Sequence, residues 1–198
     1  TAGLREILQP NYPEMEIRRI ETIGPKVGDE LKTSALQAIL IALGLVLIYI
    51  TFRFQWRQGI AAIITLLHDV MVVVGIFSIF DKEFTLPVIA ALLTVVGYSL
   101  NDTIVIFDRI RENISKFRKR ELLPLINQSV TETLSRTLLT SGTTLMVVLA
   151  LVFLGGEIIH DFAFALLVGV LIGTYSSIYV ASPTVLWLTK IAPPKTSD

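Results

Sequence analysis

Three ionisable side chains, Asp69, Asp102 and Arg136, lie in or beside long apolar runs. A charge in a hydrocarbon layer costs roughly 2.5–3.5 kcal/mol on insertion scales, so such groups are kept for proton exchange, ion pairing or gating. At 1.5 Å per residue from the far end of each run, Asp69 lies about 16 Å in, Asp102 about 24 Å and Arg136 about 27 Å. Asp102 and Arg136 therefore share a level on consecutive helices. A carboxylate facing an arginine offsets much of the burial cost, and the pair can change partners when the acid takes a proton. The structural alternative has Arg136 snorkelling to the interface and Asp102 serving only as a hydrogen-bonding residue. Asp69, next to His68, reads either as part of a proton pathway or as a structural polar contact. His68 alone fits a hydrogen-bonded core residue better than a metal ligand.

Helical spacing groups Thr94, Gly97, Tyr98, Asn101 and Asp102 on one side of one run. Arg136, Thr140, Thr143 and Thr144 fall together on the next. Such polar faces belong inside a bundle, where they line a water route or simply pack. In the last run Ala165, Gly169, Gly173, Ser177 and Ala181 place a small residue at every fourth position, which lets another helix, of this chain or of a partner, approach closely.

The elements that must hold these groups follow from composition. The 198 residues are 53% hydrophobic and 17% charged, against about 25% charged in ordinary soluble domains, and mean hydropathy is +0.68. Apolar runs at 34–52, 59–80, 84–107, 137–154 and 162–188 predict five membrane-spanning helices, since about 20 residues cross a ~30 Å core. The last is longer than a span needs and is expected to tilt or overrun. The fold class is thus an all-α polytopic membrane bundle.

Residues 1–33 are polar and read as the end of an extracytoplasmic domain, with a bulged strand at 14–23 closed by Gly24-Pro25. The spans lie within 34–190, and 191–198 form a short tail. Loops carrying Arg53 and Arg57, or Arg109, Arg111, Lys116, Arg118, Lys119 and Arg120, alternate with loops that carry at most Lys82. By the positive-inside rule the basic loops and the C-terminus are cytoplasmic. An external N-terminus without a signal sequence suggests that an earlier span precedes residue 1. Between the third and fourth runs, Asp108 to Arg120 is expected to continue the third helix, and Pro124 suits the first turn of a new one.

Several chemistries are excluded. There is no cysteine, Lys plus Arg and Asp plus Glu are 17 each, and the two histidines stand far apart. Nothing suggests a metal, a cofactor, thiol chemistry or nucleic acid. There is no phosphate loop and no nucleophile–base set, so no bond-breaking enzyme is expected. Any work must draw on the membrane gradient or on a partner.

The run 96–113 reads Val-Gly-Tyr-Ser-Leu-Asn-Asp-Thr-Ile-Val-Ile-Phe-Asp-Arg-Ile-Arg-Glu-Asn and closely resembles the signature of the SecF family of protein translocase subunits. Segments 17–21, 24–28, 52–57, 67–70, 136–145 and 176–182 agree in order and spacing. The related SecD subunits usually show Val-Asp-Ala-Asn where this chain has Ser-Leu-Asn-Asp. The resemblance implies membership of the RND superfamily and a six-span unit, of which these runs are spans two to six, with residues 1–33 ending a ferredoxin-like external domain. It implies SecD, the SecYEG channel, YajC, YidC and preproteins as partners, no cofactor, and a place in the bacterial or archaeal cytoplasmic membrane. It also implies coupling of the proton motive force to protein export, with Asp102 and Arg136 at the family's proposed relay positions. A translocon scaffold that moves no protons is the rival reading, and a small-molecule RND exporter is disfavoured by the missing porter domains. A reporter fused after Lys190 is expected to be active only on the cytoplasmic side; activity outside the cell would reverse the orientation and the depths with it.

Overall fold

A computed structural model describes residues 25–53, 56–117 and 121–191. The chain divides into two compact units, Thr1–Leu36 and Gln37–Asp198. Of the first, only the helical start of α1 is described; the strand expected at 14–23 and the tail beyond 191 lie outside the described residues.

Every described element is helical. In chain order they are α1 (Pro25–Arg53), α2 (Trp56–Ile79), α3 (Leu86–Lys116), α4 (Leu122–Leu154) and α5 (Glu157–Ser176), then a π-helical turn (Ser177–Ala181) and α6 (Ser182–Ile191). Helices α2, α3, α4 and the continuous rod Glu157–Ile191 are each long and apolar enough to cross a membrane. That makes four such helices among the described residues where the sequence suggested five. The first expected span falls within α1, a helix of 29 residues that contains the apolar stretch Gln37–Ile50.

Local signals explain the boundaries. Pro87 sits in the first turn of α3, where its missing N–H costs nothing, and Lys116 in its last turn complements the helix dipole. Pro124 occupies the first turn of α4. Gly155 and Gly156 reverse the chain between α4 and α5, with Gly156 at φ 73°, a left-handed value that suits glycine. At 31 and 33 residues, α3 and α4 outrun a ~30 Å core by more than ten residues each, so their charged ends stand clear of it.

Helix α3 packs against α2, α4 and α5, and α5 against α2, α3 and α4. Two apolar clusters result. One gathers Val73, Phe77, Val88, Ala91, Leu92 and Ala165. The other gathers Leu66, Leu100, Ile106, Phe107, Ile110 and Val185, among others. Along α2 and the last rod, Asp69 and Ser176 fall between the two clusters.

The small-residue stripe of the last rod is buried along its whole length, and its two glycines face α3. A Cβ at Gly169 would lie 2.1 Å from a methyl of Val95, and one at Gly173 would lie 3.1 Å from Cβ of Ser99. Val95 is buried and β-branched, so it has little room to rotate away. Gly169→Leu is therefore expected to destabilise the bundle by about 1–3 kcal/mol or more through overpacking. Gly75→Ala, where an added Cβ meets nothing within 4 Å, is expected to be neutral. Thermal unfolding of the two variants in detergent checks this, and equal melting temperatures would make the stripe incidental.

Candidate functional site

Asp69 on α2 is 1% exposed, yet its carboxylate is well supplied with partners. Ser99 of α3 donates to Oδ2 at 2.5 Å and Ser176 of α5 to the same oxygen at 2.8 Å. His68 presents Nδ1 to Oδ1 at 3.0 Å. The Ser176 hydroxyl also lies 3.1 Å from the Gly173 carbonyl, but the nearer, charged acceptor is the stronger one. Three of the roughly four lone-pair sites of the carboxylate are thus taken. Asp69 joins three helices.

Asp102 on α3 is 2% exposed and much more sparsely held. Among the described residues its one side-chain hydrogen bond comes from Ser141 of α4, at 3.3 Å. Ser141 Oγ also receives the Tyr98 hydroxyl at 3.3 Å and lies 2.7 Å from Thr174 Oγ1 of α5. Asp102 therefore reaches α4 and α5 through a chain of neutral hydroxyls rather than through a cation.

Arg136 forms no ion pair with Asp102 or with any other described residue. It is exposed and lines a cleft of about 970 Å³ between α3 and α4 together with Asn101, Ile104, Asp108, Glu132 and Thr133. The threonine faces do not converge. Thr94, Thr140, Thr143 and Thr144 each donate to a carbonyl one turn earlier in their own helix, and Thr94 and Asn101 face outward. Of the polar face read on α3, Tyr98 and Asp102 alone join the buried network. Ser99, Ser141, Thr174 and Ser176 complete it, and the sequence reading passed over all four in that role. A weak signal existed: Ser99 lies one turn before Asp102, and Ser176 adjoins the buried stripe.

The outer rim of the cleft is a charged cluster. Glu132 of α4 accepts from Arg109 Nε at 2.5 Å, from Asn113 Nδ2 at 3.0 Å and from Gln128 Nε2 at 2.8 Å. Asn113, buried on α3, also donates to Ser129 at 2.9 Å. These hydrogen bonds, Asn113 foremost, hold the Glu132 carboxyl down at about 2. Arg109 also pairs with Glu112, which pairs with Lys116. Among the described residues no group of three or more His, Cys, Asp or Glu is placed to hold a metal.

Residues 4–191 match the family model described as protein export membrane protein SecD/SecF, C-terminal. The chain is 56% identical over 183 residues to the protein translocase subunit SecF of Desulfurispirillum indicum, covering 90% of this chain and 58% of that protein. It is 53% identical over 203 residues to the SecDF of Thermus thermophilus, covering 94% of this chain and 28% of that protein. The crystal structure of SecDF, a translocon-associated membrane protein from that organism, superposes with a TM-score of 0.90 at 48% identity, over 96% of this chain and 26% of that one. A SecDF structure in a super-membrane-facing form superposes with a TM-score of 0.81. The chain thus spans less than two thirds of the curated relatives it matches.

The rim yields a pH expectation. A carboxyl depressed in the folded state contributes its stabilisation above the unfolded value, near 4.5, and loses it as pH falls through about 2. Spin labels on cysteines placed at the exposed positions Ser115 and Asn127, in a chain with no cysteine of its own, should report an unchanged α3–α4 distance from pH 7 to below 4. Asn113→Ala removes the foremost of these donors and should move the loss of that distance to higher pH. Separation of the two helices already near pH 5 in the unaltered protein would contradict the assignment.

Proposed function

The chain belongs to the SecD/SecF family of protein export membrane proteins, and from that premise we propose that it couples the proton motive force to preprotein export, with Asp102 as the group that takes and releases the proton. The observation that carries this reading is the contrast between the two buried carboxylates. Among the described residues Asp69 has three hydrogen-bonding partners and Asp102 has one. A carboxylate held by one side-chain donor is freer to take a proton than one held by three, and its chain neighbour Asn101 lines the cleft together with Arg136. Arg136 is the cation that draws negative charge to that level. Asp69, which the sequence left open between a proton pathway and a structural polar contact, is proposed as an anchor that stays in place while Asp102 changes state.

The proposed setting is the cytoplasmic membrane, with the C-terminus inside. The partners are SecD, SecYEG, YajC and YidC, and the chain itself breaks no covalent bond. One proton moving down a 100 mV potential supplies about 2.3 kcal/mol. That suffices to bias a conformational step between states a few kcal/mol apart.

Asp102→Asn keeps size and hydrogen bonding and removes titration. In membrane vesicles carrying the full-length complex it is expected to abolish the part of preprotein translocation that a proton gradient stimulates, while SecA-driven, ATP-dependent translocation continues. Equal stimulation in native and variant vesicles would move the assignment to a scaffold that transports no protons.

A further inference from the structure

A hydroxyl carries one proton and two acceptor sites, and that count constrains the network around Asp102. Ser141 Oγ has three neighbours: Asp102 Oδ2 at 3.3 Å, Tyr98 OH at 3.3 Å and Thr174 Oγ1 at 2.7 Å. Thr174 Oγ1 has two: Ser141 Oγ and the Val170 carbonyl of its own helix, also at 2.7 Å. The Ser141 proton cannot serve Asp102 and Thr174 together, and the Thr174 proton cannot serve Ser141 and Val170 together.

We propose that Ser141 and Thr174 form a relay that reverses direction when Asp102 takes a proton, carrying the state of Asp102 from α3 through α4 into α5. The proposal rests on Asp102 being the titrating group. With Asp102 ionised, Ser141 donates to the carboxylate and accepts from Tyr98 and Thr174, and the Val170 carbonyl has no hydroxyl donor. With Asp102 protonated, its O–H donates to Ser141, Ser141 donates to Thr174, and Thr174 donates to the Val170 carbonyl. Tyr98 donates to Ser141 in both states. One proton is added to Asp102, two hydroxyls rotate, and nothing leaves. Every Ser141 and Thr174 hydroxyl is paired in either arrangement, so neither state strands a buried polar group.

The outcome is mechanical. A threonine that bonds the carbonyl four residues back tends to bend its helix. Thr174 stands three residues before the π-helical turn Ser177–Ala181, where the backbone already departs from α geometry, as such turns often do at functional sites. Protonation of Asp102 thus adds a bending contact to α5 beside its least regular turn. Ser141 and Thr174 act as positioning residues and carry no net proton themselves.

The test is infrared difference spectroscopy across a pH step on the full-length complex in vesicles, made with valine labelled at the carbonyl carbon. Native protein should show a protonated-carboxyl band that disappears in Asp102→Asn. With it should come a downshift of one valine carbonyl, assigned to Val170 by its loss in Val170→Ile. In Thr174→Val the carboxyl band should persist and the carbonyl shift vanish. Gradient-stimulated export should fall about fivefold, the ratio one hydrogen bond of ordinary net strength controls. Thr174→Ser should restore both. Ser141→Ala cuts the chain one link earlier and should behave as Thr174→Val does; it carries the test alone if that variant does not assemble. A surviving Val170 shift, or full stimulation, in either cut variant overturns the relay while leaving Asp102 as the proton carrier. Absence of any Asp102-dependent band in native protein overturns both.

Discussion

A carboxylate removed from water in an apolar bundle has to be solvated by protein, and for Asp69 the solvating groups come from its own helix and from two others. Ser99 of α3 and Ser176 of α5 meet on one oxygen, and His68 takes the other. Removing any one would leave a buried charge short of a partner, a costlier defect than the loss of the same contact at a surface. Because lipid offers no hydrophobic drive between helices, polar junctions and close packing have to fix their arrangement. Asp69 is such a junction, and it ties α2, α3 and α5 together near the level where Ser141 links Asp102 to Thr174.

The junction works only if α3 and α5 come unusually close. Gly169 and Gly173 make that possible, since a side chain at either would collide with Val95 or crowd Ser99. Ser99 thus has two roles: its backbone side fills the groove over Gly173, and its hydroxyl reaches Asp69. A repeat of four residues over-rotates by about 40° at each step of an α-helix. A stripe from Ala165 to Ala181 would drift off its face if the rod were α-helical throughout. The π turn at Ser177–Ala181 winds less per residue and so reverses the sense of that drift over the last step, from Ser177 to Ala181, both of which are buried.

What the sequence made legible divides along physical lines. Hydropathy and length located the helices, and the alternation of basic loops suggested their order across the membrane. Length alone missed one feature: the long last run proved to be two α segments around a π turn. Asp69 and Asp102 stood out because charge in an apolar run is rare. Their partners did not, because a lone serine or threonine in a helix carries no periodic signal and usually bonds its own backbone, as Thr140 and Thr143 do. The depth argument put Asp102 and Arg136 at one level, but rise per residue says nothing about rotation about the axis. Arg136 lies in the cleft, without an ion pair to Asp102.

The two carboxylates differ in a way that matches the energy available. A hydrogen bond to a charged group contributes about 1.5–3 kcal/mol. A step that released Asp69 would break three of them, several kcal/mol in all, which exceeds what one proton supplies at 100 mV. A step that rearranged Asp102 exchanges a single long hydrogen bond from Ser141 for another of opposite direction, a change within the reach of one proton. The same comparison bears on which helices can shift. Asp69 ties α2, α3 and α5 to one another, whereas α4 joins this polar layer only through Ser141 and is held further out by the Glu132 rim. On the proposed reading, a protonation event at Asp102 would act on the α3–α4 and α4–α5 seams and leave the three-helix junction as the frame against which the movement is made.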